Sequence, residues 1–297
     1  MKLRIAEQEN EWINRDMPLT FEYEGQQIEA YEGDTISSAL WAADIKVLGR
    51  SFKYHRARGL LSFANHDVNA LMTDGVDTNI RADVIPVTHN MQLTAVNTDG
   101  GVLKDKGRYI DKISAFLPVG FYYKTFHKPK WMFPFWENKI RKAAGLGEVN
   151  FNYPRITRAK RYAHCDVLVV GAGASGLSAA LEAAEAGSQV ILVDENLKIG
   201  GSLTYDMAAD VNTGSLLKQL TENVLSHANI QVIADAYAGG YYTDHLVPIV
   251  EKRGITKVRA GSVIGASGAF EQPPVFRYND LPGVMLSSAA QRLVNRY

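Results

Sequence analysis

Hydrophobic and polar residues alternate along the first part of the chain, which is the pattern of strands with one buried face. The stretch LTFEYEGQQIEAYEG alternates on both sides of Gly25 and therefore predicts a β-hairpin. Asp34 or Thr35 can cap the helix predicted over TISSALWAADI. Further short strands are predicted in ALMTDGVDTNIRADVIPVTHNMQLTAVN. This order of elements indicates a small β-grasp domain, an α+β fold, over residues 19–100.

A different pattern stands in the middle of the chain, where two continuous apolar runs flank an alanine-rich segment. DVLVV and QVILV are β-branched runs, as expected of buried parallel strands. Between them, SGLSAALEAAEAG has helical periodicity and ends at Gly187. Gly171, Gly173 and Gly176 form G-x-G-x-x-G, and Asp194 follows the second strand about 20 residues later. The whole unit predicts an α/β, Rossmann-like dinucleotide-binding domain.

Each part of this predicted unit has a role toward a nucleotide. Gly171 permits the tight turn, Gly173 lets the backbone approach a pyrophosphate, and Gly176 lets the helix lie close to the strand. The helix N-terminus offers N–H groups and a positive dipole end to the phosphates. Asp194 is expected to bind the ribose hydroxyls and, beside Glu195, to repel a 2′-phosphate, which favours NAD or FAD over NADP. The alternative is a glycine turn that only packs a helix on a sheet.

Two later glycine segments extend the predicted site, with ordinary loop chemistry as the alternative for each. KIGGSL follows the second strand, and AGSVIGASGAFEQPP continues an apolar strand into a proline-rich loop. No catalytic residue and no metal site is predicted from spacing. The predicted cofactor-binding residues are Gly171, Gly173, Ala174, Ser175, Gly176, Asp194, Glu195, Gly200, Gly201, Ser267 and Gly268.

Composition narrows the function classes only slightly. The 297 residues carry a formal net charge of zero, so no nucleic-acid partner is expected. No apolar run approaches the roughly 18 residues of a membrane span, and the N-terminus lacks the apolar core of a signal peptide. Cys165 is the single cysteine, which excludes an internal disulfide. We therefore expect a cytoplasmic protein.

A basic loop, VLGRSFKYHRARG, stands where small ferredoxin-like domains place the cysteines of an iron–sulfur cluster. One hypothesis is that its basic side chains contact a phosphate or a partner protein. The other is that they pair with local carboxylates. The side chains concerned are Arg50, Lys53, His55, Arg56 and Arg58.

The connecting segment of residues 101–163 is rich in aromatic and basic residues and is interrupted by prolines. Such a composition could stack on single-stranded nucleic acid, but the neutral chain and the lack of a nucleic-acid module disfavour this. Burial within the chain and contact with a partner subunit remain as alternatives. The aromatic residues concerned are Phe116, Phe121, Tyr122, Tyr123, Trp131, Phe133, Phe135 and Trp136.

Several of these motifs resemble known families. The glycine pair and ASGA resemble the two-dinucleotide-binding flavoprotein type, with Ser267 where threonine is usual. GRSFKYHRARG, PVGFYYKTFHKP, IRKAAGLG, VVGAGASGL and LPGVMLSSAAQRLVNRY together resemble the α subunit of heterotetrameric sarcosine oxidase, from about Leu19 to the end of the chain. The resemblance implies a ferredoxin-like domain without an iron–sulfur cluster. It also implies a nucleotide domain that holds NAD rather than FAD.

The same resemblance implies an oxidoreductase that acts on CH–NH bonds only together with partner subunits, especially β. Sarcosine would be demethylated to glycine, with its methyl carbon released as formaldehyde or, when tetrahydrofolate is present, as methylene-tetrahydrofolate, and with release of hydrogen peroxide. Another N-methyl amine in its place would give the corresponding demethylated amine. FAD and FMN are expected in the assembled complex. The alternatives are a stand-alone FAD/NAD-dependent flavin oxidoreductase and a non-catalytic nucleotide-binding module.

The expected domains are an N-terminal arm (1–18), the β-grasp domain (19–100), the connecting segment (101–163) and the dinucleotide-binding domain (164–297). The last is expected to be truncated relative to the family.

Overall fold

The chain forms two units in a computed structural model, and each unit has its own sheet. The first unit is Met1–Tyr153 with Gln272–Tyr297, and the second is Pro154–Glu271. The structure describes all residues except 1–2, 9–10, 66, 68–69, 97, 118–119, 121–125, 127, 144–148, 155–156, 207–210 and 253.

The first unit is built on a five-stranded sheet in the order β2-β1-β7-β5-β6, with a separate pair β3-β4. The strands are β1 (Asn14–Tyr23), β2 (Gln26–Glu32), β3 (Gly49–Arg50), β4 (Ala57–Arg58), β5 (Leu71–Thr73), β6 (Ile80–Arg81) and β7 (Gln92–Ala95). The helices are α1 (Ile36–Ala42), α2 (Phe133–Ala143) and α5 (Ser287–Arg296), with 3₁₀ segments at Lys106–Phe116 and Lys130–Met132. β1 pairs antiparallel with β2 and parallel with β7, which is the β-grasp arrangement and confirms the predicted fold.

Local sequence explains the hairpin and the first helix. Gly25 takes a positive φ of 80° between β1 and β2, at the predicted turn. Thr35 is the N-cap of α1, because its hydroxyl oxygen accepts a hydrogen bond from the backbone N–H of Ser38 at 3.2 Å. The alternation along β1 places Phe21 and Tyr23 in the core of this unit.

The C-terminal helix α5 packs on the first unit, which differs from the predicted nucleotide domain of residues 164–297. Leu286, Ala289 and Tyr297 are buried in the same hydrophobic core as Ile13 and Phe63. The ring of Tyr297 lies edge-on to that of Phe63, with 5.2 Å between centroids. An amphipathic pattern shows that one helix face is buried but does not show which surface covers it.

The second unit has a six-stranded sheet in the order β10-β9-β8-β13-β12-β11. Its strands are β8 (Lys160–Val170), β9 (Val190–Val193), β10 (Ile230–Ile233), β11 (Ala236–Ala238), β12 (Leu246–Glu251) and β13 (Gly254–Gly265). Its helices are α3 (Ala174–Glu185) and α4 (Val211–Ser226). β8 is parallel to β9 and β13, and β9 is parallel to β10, as in a dinucleotide-binding fold.

Both faces of this second sheet carry buried apolar side chains, which explains the continuous apolar runs. One face packs Val169 and Leu192 against Leu177 of α3. The other face packs Leu168 against Ile249 of β12. The strand–turn–helix–strand unit predicted from the sequence is therefore confirmed as part of an α/β fold.

Candidate dinucleotide site

The turn between β8 and α3 is tightly packed at two of its three glycines. A Cβ at Gly171, whose φ is 103°, would lie 2.3 Å from the carbonyl oxygen of Ala266. A Cβ at Gly176 would lie 1.8 Å from the carbonyl oxygen of Gly171. Both contacts are with backbone atoms, which cannot move aside without displacing a strand. These two glycines are therefore required by the packing of the turn itself.

Gly173 differs from the other two glycines of the motif. It is the N-cap of α3 with an ordinary φ of −78°, and the nearest atom to a Cβ there would be the Cα of Gly201 at 3.8 Å. Packing of the chain alone does not require glycine at this position. The first N–H groups of α3, at Ala174 and Ser175, have no partner within the helix. This is the position at which the sequence predicts a backbone approach to a pyrophosphate.

The predicted acidic residue lies at the carboxyl end of β9, but its side chain turns toward the protein. Asp194 is buried, and its Oδ2 accepts a hydrogen bond from the backbone N–H of Ala172 at 2.6 Å. Its Oδ1 accepts hydrogen bonds at 2.8 Å from the backbone N–H and the side-chain amide of Asn196. Glu195, the next residue, is exposed. Asp194 therefore links the end of β9 to the glycine turn.

The second glycine pair lies directly against the first. The backbone N–H of Gly200 donates to the carbonyl oxygen of Ala172 at 2.8 Å. Gly200 and Gly201 both have positive φ, and a Cβ at Gly201 would lie 2.6 Å from the Cα of Gly173. Burial lowers the pKa of Lys198 on the same loop. The loop thus adds backbone groups and the cation of Lys198 to this edge of the sheet.

The segment after β13 also reaches the glycine turn. Ser267 and Gly268 are exposed, and the Cα of Ser267 would lie 3.1 Å from a Cβ at Gly171. The predicted residues of the second unit therefore gather at the carboxyl end of its parallel strands. Ala172, Asn196 and Ala266 belong to the same network and were not predicted. The glycine motif fixes only its glycines and assigns no role to the residues between them. Of the three residues, only Ala172 lies inside the motif, so its position was the one sequence signal that could have indicated it.

The basic loop lies in the first unit, and its side chains bond to local groups. Arg56 pairs with Asp111 at 2.7 Å. Arg58 pairs with Asp280 at 2.5 Å. This is the local pairing that the sequence left as one of two hypotheses, and contact with a phosphate or a partner stays a prediction.

Three more residues of the basic loop hold the connecting segment. Arg50 donates to the carbonyl oxygen of Val102 at 2.8 Å. Lys53 donates to the carbonyl oxygen of Leu117 at 2.7 Å. His55 contacts Asp105.

A buried contact joins His55 of the basic loop to Asp105. The His55 Nδ1 lies 2.8 Å from Asp105 Oδ2, and both side chains are almost fully buried. Asp105 Oδ1 accepts hydrogen bonds from the backbone N–H groups of Asp99 and Gly107. A Cβ at Gly107 would lie 2.3 Å from the ring of His55. These contacts fix the loop to the chain that follows β7.

The aromatic residues of the connecting segment are only partly covered. Phe116, Trp131 and Phe135 are exposed, with Phe116 at 83%. Trp136 is half-buried and stacks on Phe126, with 4.6 Å between ring centroids. Phe133 is also half-buried. Phe121, Tyr122 and Tyr123 lie outside the described residues.

Neither a metal site nor a membrane span is found in the part of the chain that the structure describes. Within the described ranges, no three His, Cys, Asp or Glu side chains gather closely enough to hold a metal ion. Among the helices of those ranges, none combines the length and the apolar character needed to cross a bilayer. Cys165 is half-buried in β8, and burial raises the pKa of its thiol.

Comparison with known families finds one partial match in each unit. Residues 16–98 match the 2Fe-2S iron-sulfur cluster binding domain family, and residues 166–214 match the FAD dependent oxidoreductase family. The first match contains no cysteine, whereas a [2Fe–2S] cluster of that type is held by four cysteine thiolates. The residues present therefore do not fit such a cluster. The second match covers the glycine turn, Asp194 and the glycine pair.

Curated relatives and a solved structure extend the comparison. The chain is 37% identical to the sarcosine oxidase subunit alpha of Rhizobium meliloti, over 96% of this chain and 31% of that protein. It is 29% identical to the same subunit of Corynebacterium sp. strain U-96, over 100% of this chain and 28% of that protein. The resemblance predicted from the sequence is confirmed, and the chain spans about a third of these relatives.

The L-proline dehydrogenase of P. horikoshii shares the fold. It has a TM-score of 0.65 at 21% identity, and the alignment covers 95% of this chain and 47% of the dehydrogenase chain.

Proposed function

Because the chain is homologous over 96% of its length to the α subunit of sarcosine oxidase, we propose that it is the dinucleotide-binding part of a sarcosine oxidase-like flavoprotein oxidoreductase. The nucleotide proposed for this chain is NAD. The proposal includes assembly with other subunits, because the sarcosine oxidase resemblance implies a substrate site on or facing another subunit, and the spacing of residues in this chain identifies no catalytic residue.

One observation carries the proposal: there is space for a side chain at Gly173, whereas there is none at Gly171 or Gly176. A Cβ at Gly171 or Gly176 would clash with a backbone carbonyl oxygen, whereas a Cβ at Gly173 would meet only the Cα of Gly201 at 3.8 Å. The position sits at the N-terminus of α3, where N–H groups and the helix dipole favour a pyrophosphate. Backbone from the glycine pair borders the same space. A diphosphate of an adenine dinucleotide fits this chemistry.

The residues of the second unit would bind and orient the nucleotide rather than move protons. The first turn of α3 would hold the diphosphate, and the acidic end of β9 would face the ribose. A bound nicotinamide or flavin would supply hydride transfer. In the assembled complex, sarcosine would lose a hydride from its N-methyl group, and water would release formaldehyde and leave glycine. Oxygen would take up the electrons and give hydrogen peroxide.

FAD is the second candidate for this site. The family match over residues 166–214 is to FAD dependent oxidoreductases, and it includes all three glycines of the turn. NAD and FAD share the adenosine diphosphate that the turn would hold. The glycine motif does not distinguish the two, and the preference for NAD comes from the sarcosine oxidase resemblance.

The identity of the nucleotide tests the proposal. The chain would be purified, denatured and separated by chromatography with mass detection, and then titrated with NAD and FAD by calorimetry. The proposal expects a colourless protein that releases or binds NAD with 1:1 stoichiometry. Release of FAD would move the assignment to the second candidate. A chain that retains neither nucleotide and binds neither would refute dinucleotide binding.

A further inference from the structure

The 3₁₀ segment Lys106–Phe116 in the first unit is bonded to the basic loop on one side and exposes apolar side chains on the others. We propose that this segment is a docking surface for a partner subunit. The surface fits a protein partner with an apolar centre and acidic groups around it. This inference rests on the proposed function, because the occupant is one of the subunits with which the chain is proposed to assemble.

The start and the middle of the segment are both bonded to the basic loop. Asp105 is the N-cap residue of the segment, and its carboxylate lies 2.8 Å from the buried ring of His55. One turn and a half further on, Asp111 accepts a hydrogen bond from Arg56 Nε at 2.7 Å. The two carboxylates of this stretch are therefore used in holding it to the loop.

The end of the segment is bonded to the same loop. The carbonyl oxygen of Leu117 accepts hydrogen bonds from Lys53 Nζ at 2.7 Å and from the Tyr54 hydroxyl at 2.8 Å. No residue of the segment itself is buried. Polar bonds to the loop, rather than burial in a hydrophobic core, therefore give the segment its position, and its apolar side chains are left uncovered.

The helix type divides the segment into three lines of side chains, because residues three positions apart are aligned along a 3₁₀ helix. Asp111 stands on the line that faces the basic loop. The next line carries Tyr109 and Lys112, and the Lys112 ammonium lies 5.2 Å from the centroid of the Tyr109 ring. The third line is apolar and consists of Ile110, Ile113 and Phe116.

Three side chains on the second and third lines, Tyr109, Ile113 and Phe116, form what we call the docking face. They are 55%, 52% and 83% exposed. Single exposed apolar residues are ordinary, whereas several together mark a binding surface. Aromatic side chains are also enriched at protein interfaces. Because the segment is already bonded in place, little ordering would be needed when a partner covers it.

The charges beside the docking face indicate the chemistry of the partner. Lys104, Arg108 and Lys112 are exposed and form no ion pair among the described residues. Asp105 and Asp111 are bonded to the basic loop and leave this side positive. The whole chain is neutral, so the excess of cations is local. Charge complementarity therefore favours a partner with acidic groups around its apolar contact.

The experiment measures binding of the full chain to the β-type subunit of the same organism by interferometry. Ile113→Ser and Phe116→Ser should each weaken binding at least about tenfold, because each removes an apolar side chain that the partner would cover. Lys112→Glu should slow association about tenfold at low salt, and the difference should shrink as salt is added. All three side chains are exposed, so urea unfolding of the variants should match that of wild type.

Two matched controls make the same changes outside the segment. Phe151→Ser removes an aromatic ring that is 94% exposed, beside Asn150, whose amide donates to the carbonyl oxygen of Val76 between β5 and β6. Lys218→Glu reverses an exposed charge on α4 of the second unit. Both controls should bind the β-type subunit with the affinity and the association rate of wild type.

Two other occupants of the docking face are tested with the chain alone. A dimer in sedimentation equilibrium that dissociates in Phe116→Ser would assign the face to a second copy of the chain and overturn the proposal. Binding to vesicles of phosphatidylcholine and phosphatidylglycerol that is lost in both Phe116→Ser and Lys112→Glu would assign it to a lipid surface and overturn it as well.

Failure of the docking surface and failure of the proposed function give different results. If Ile113→Ser and Phe116→Ser bind the β-type subunit like wild type, the docking surface is refuted, while assembly itself stands. If wild type binds a dinucleotide but no β-type subunit, the docking surface is again refuted, while the nucleotide site stands. Weakened binding in the three variants but not in the two controls supports the docking surface whether or not a dinucleotide binds.

Discussion

Replacing Asp83 by Asn should remove a pH dependence from the stability of the first unit. Asp83 is 4% exposed, and neither of its carboxylate oxygens has a hydrogen-bond partner among the described residues. Burial raises its pKa to about 8, and the nearby carboxylate of Asp67 acts in the same direction. The Ser37 hydroxyl and Arg292 partly oppose this rise. Asp83 is therefore neutral in the folded protein at pH 7.

The sign and size of the effect follow from the two pKa values. The folded state keeps the proton up to about pH 8, whereas an unfolded aspartate loses it near 3.8. The unfolded chain therefore binds fewer protons in this interval, and stability falls as pH rises through it. Each pH unit corresponds to about 1.4 kcal/mol, so between pH 5 and pH 9 Asp83 should lower the free energy of unfolding by about 4 kcal/mol.

Urea titrations at pH 5, 7 and 9, followed by tryptophan fluorescence, provide the assay. All four tryptophans lie in Met1–Tyr153, so the signal reports the first unit. Asp83→Asn should resemble wild type at pH 5 and exceed its stability by several kcal/mol at pH 9. Asp16→Asn is the control, since Asp16 is exposed. The reasoning is refuted if wild type and Asp83→Asn lose stability in parallel from pH 5 to pH 9.

Two further substitutions, one in each unit, test the packing of the chain. Gly176→Ala would place a Cβ 1.8 Å from the carbonyl oxygen of Gly171, so we expect the second unit to lose at least about 3 kcal/mol, measured by amide exchange in β8 and β9. Exchange rates equal to those of wild type would contradict that contact. Asp105→Ala would remove the partner of His55 and the acceptor for the Gly107 N–H, and we expect a loss of about 3 kcal/mol in urea titrations read by tryptophan fluorescence. A loss below about 0.5 kcal/mol would show that this buried pair does not hold the loop.

Much of the fold could be predicted because its signals are local. The Gly25 hairpin, the Thr35 cap and the glycine turn each depend on residues that are neighbours in sequence. The long-range pairings could not be predicted in this way. His55 meets Asp105 across 50 positions, and no periodicity links them.

In the candidate site, the position of Asp194 could be predicted from the sequence, but the direction of its side chain could not. The spacing correctly placed an acidic residue at the end of β9, because strand and helix lengths fix that distance. It could not give the direction of the side chain, which depends on the Ala172 N–H and on Asn196. Likewise, the predicted nucleotide domain of residues 164–297 included α5, whose packing on the first unit depends on core residues far away in sequence.

The most direct test of nucleotide binding is titration of Gly173→Ala with NAD and FAD beside wild type. A Cβ at Gly173 would meet only the Cα of Gly201 at 3.8 Å, and φ is −78°, so the substituted chain should fold normally. Gly214→Ala, where a Cβ would meet nothing within 4 Å, controls for the change itself. We predict that wild type and Gly214→Ala each bind one dinucleotide. Gly173→Ala should have the same free energy of unfolding as wild type. It should bind the dinucleotide at least about 100-fold more weakly, because its methyl group would occupy the proposed diphosphate position. Equal affinity in Gly173→Ala and wild type, or no binding by wild type, would contradict the account.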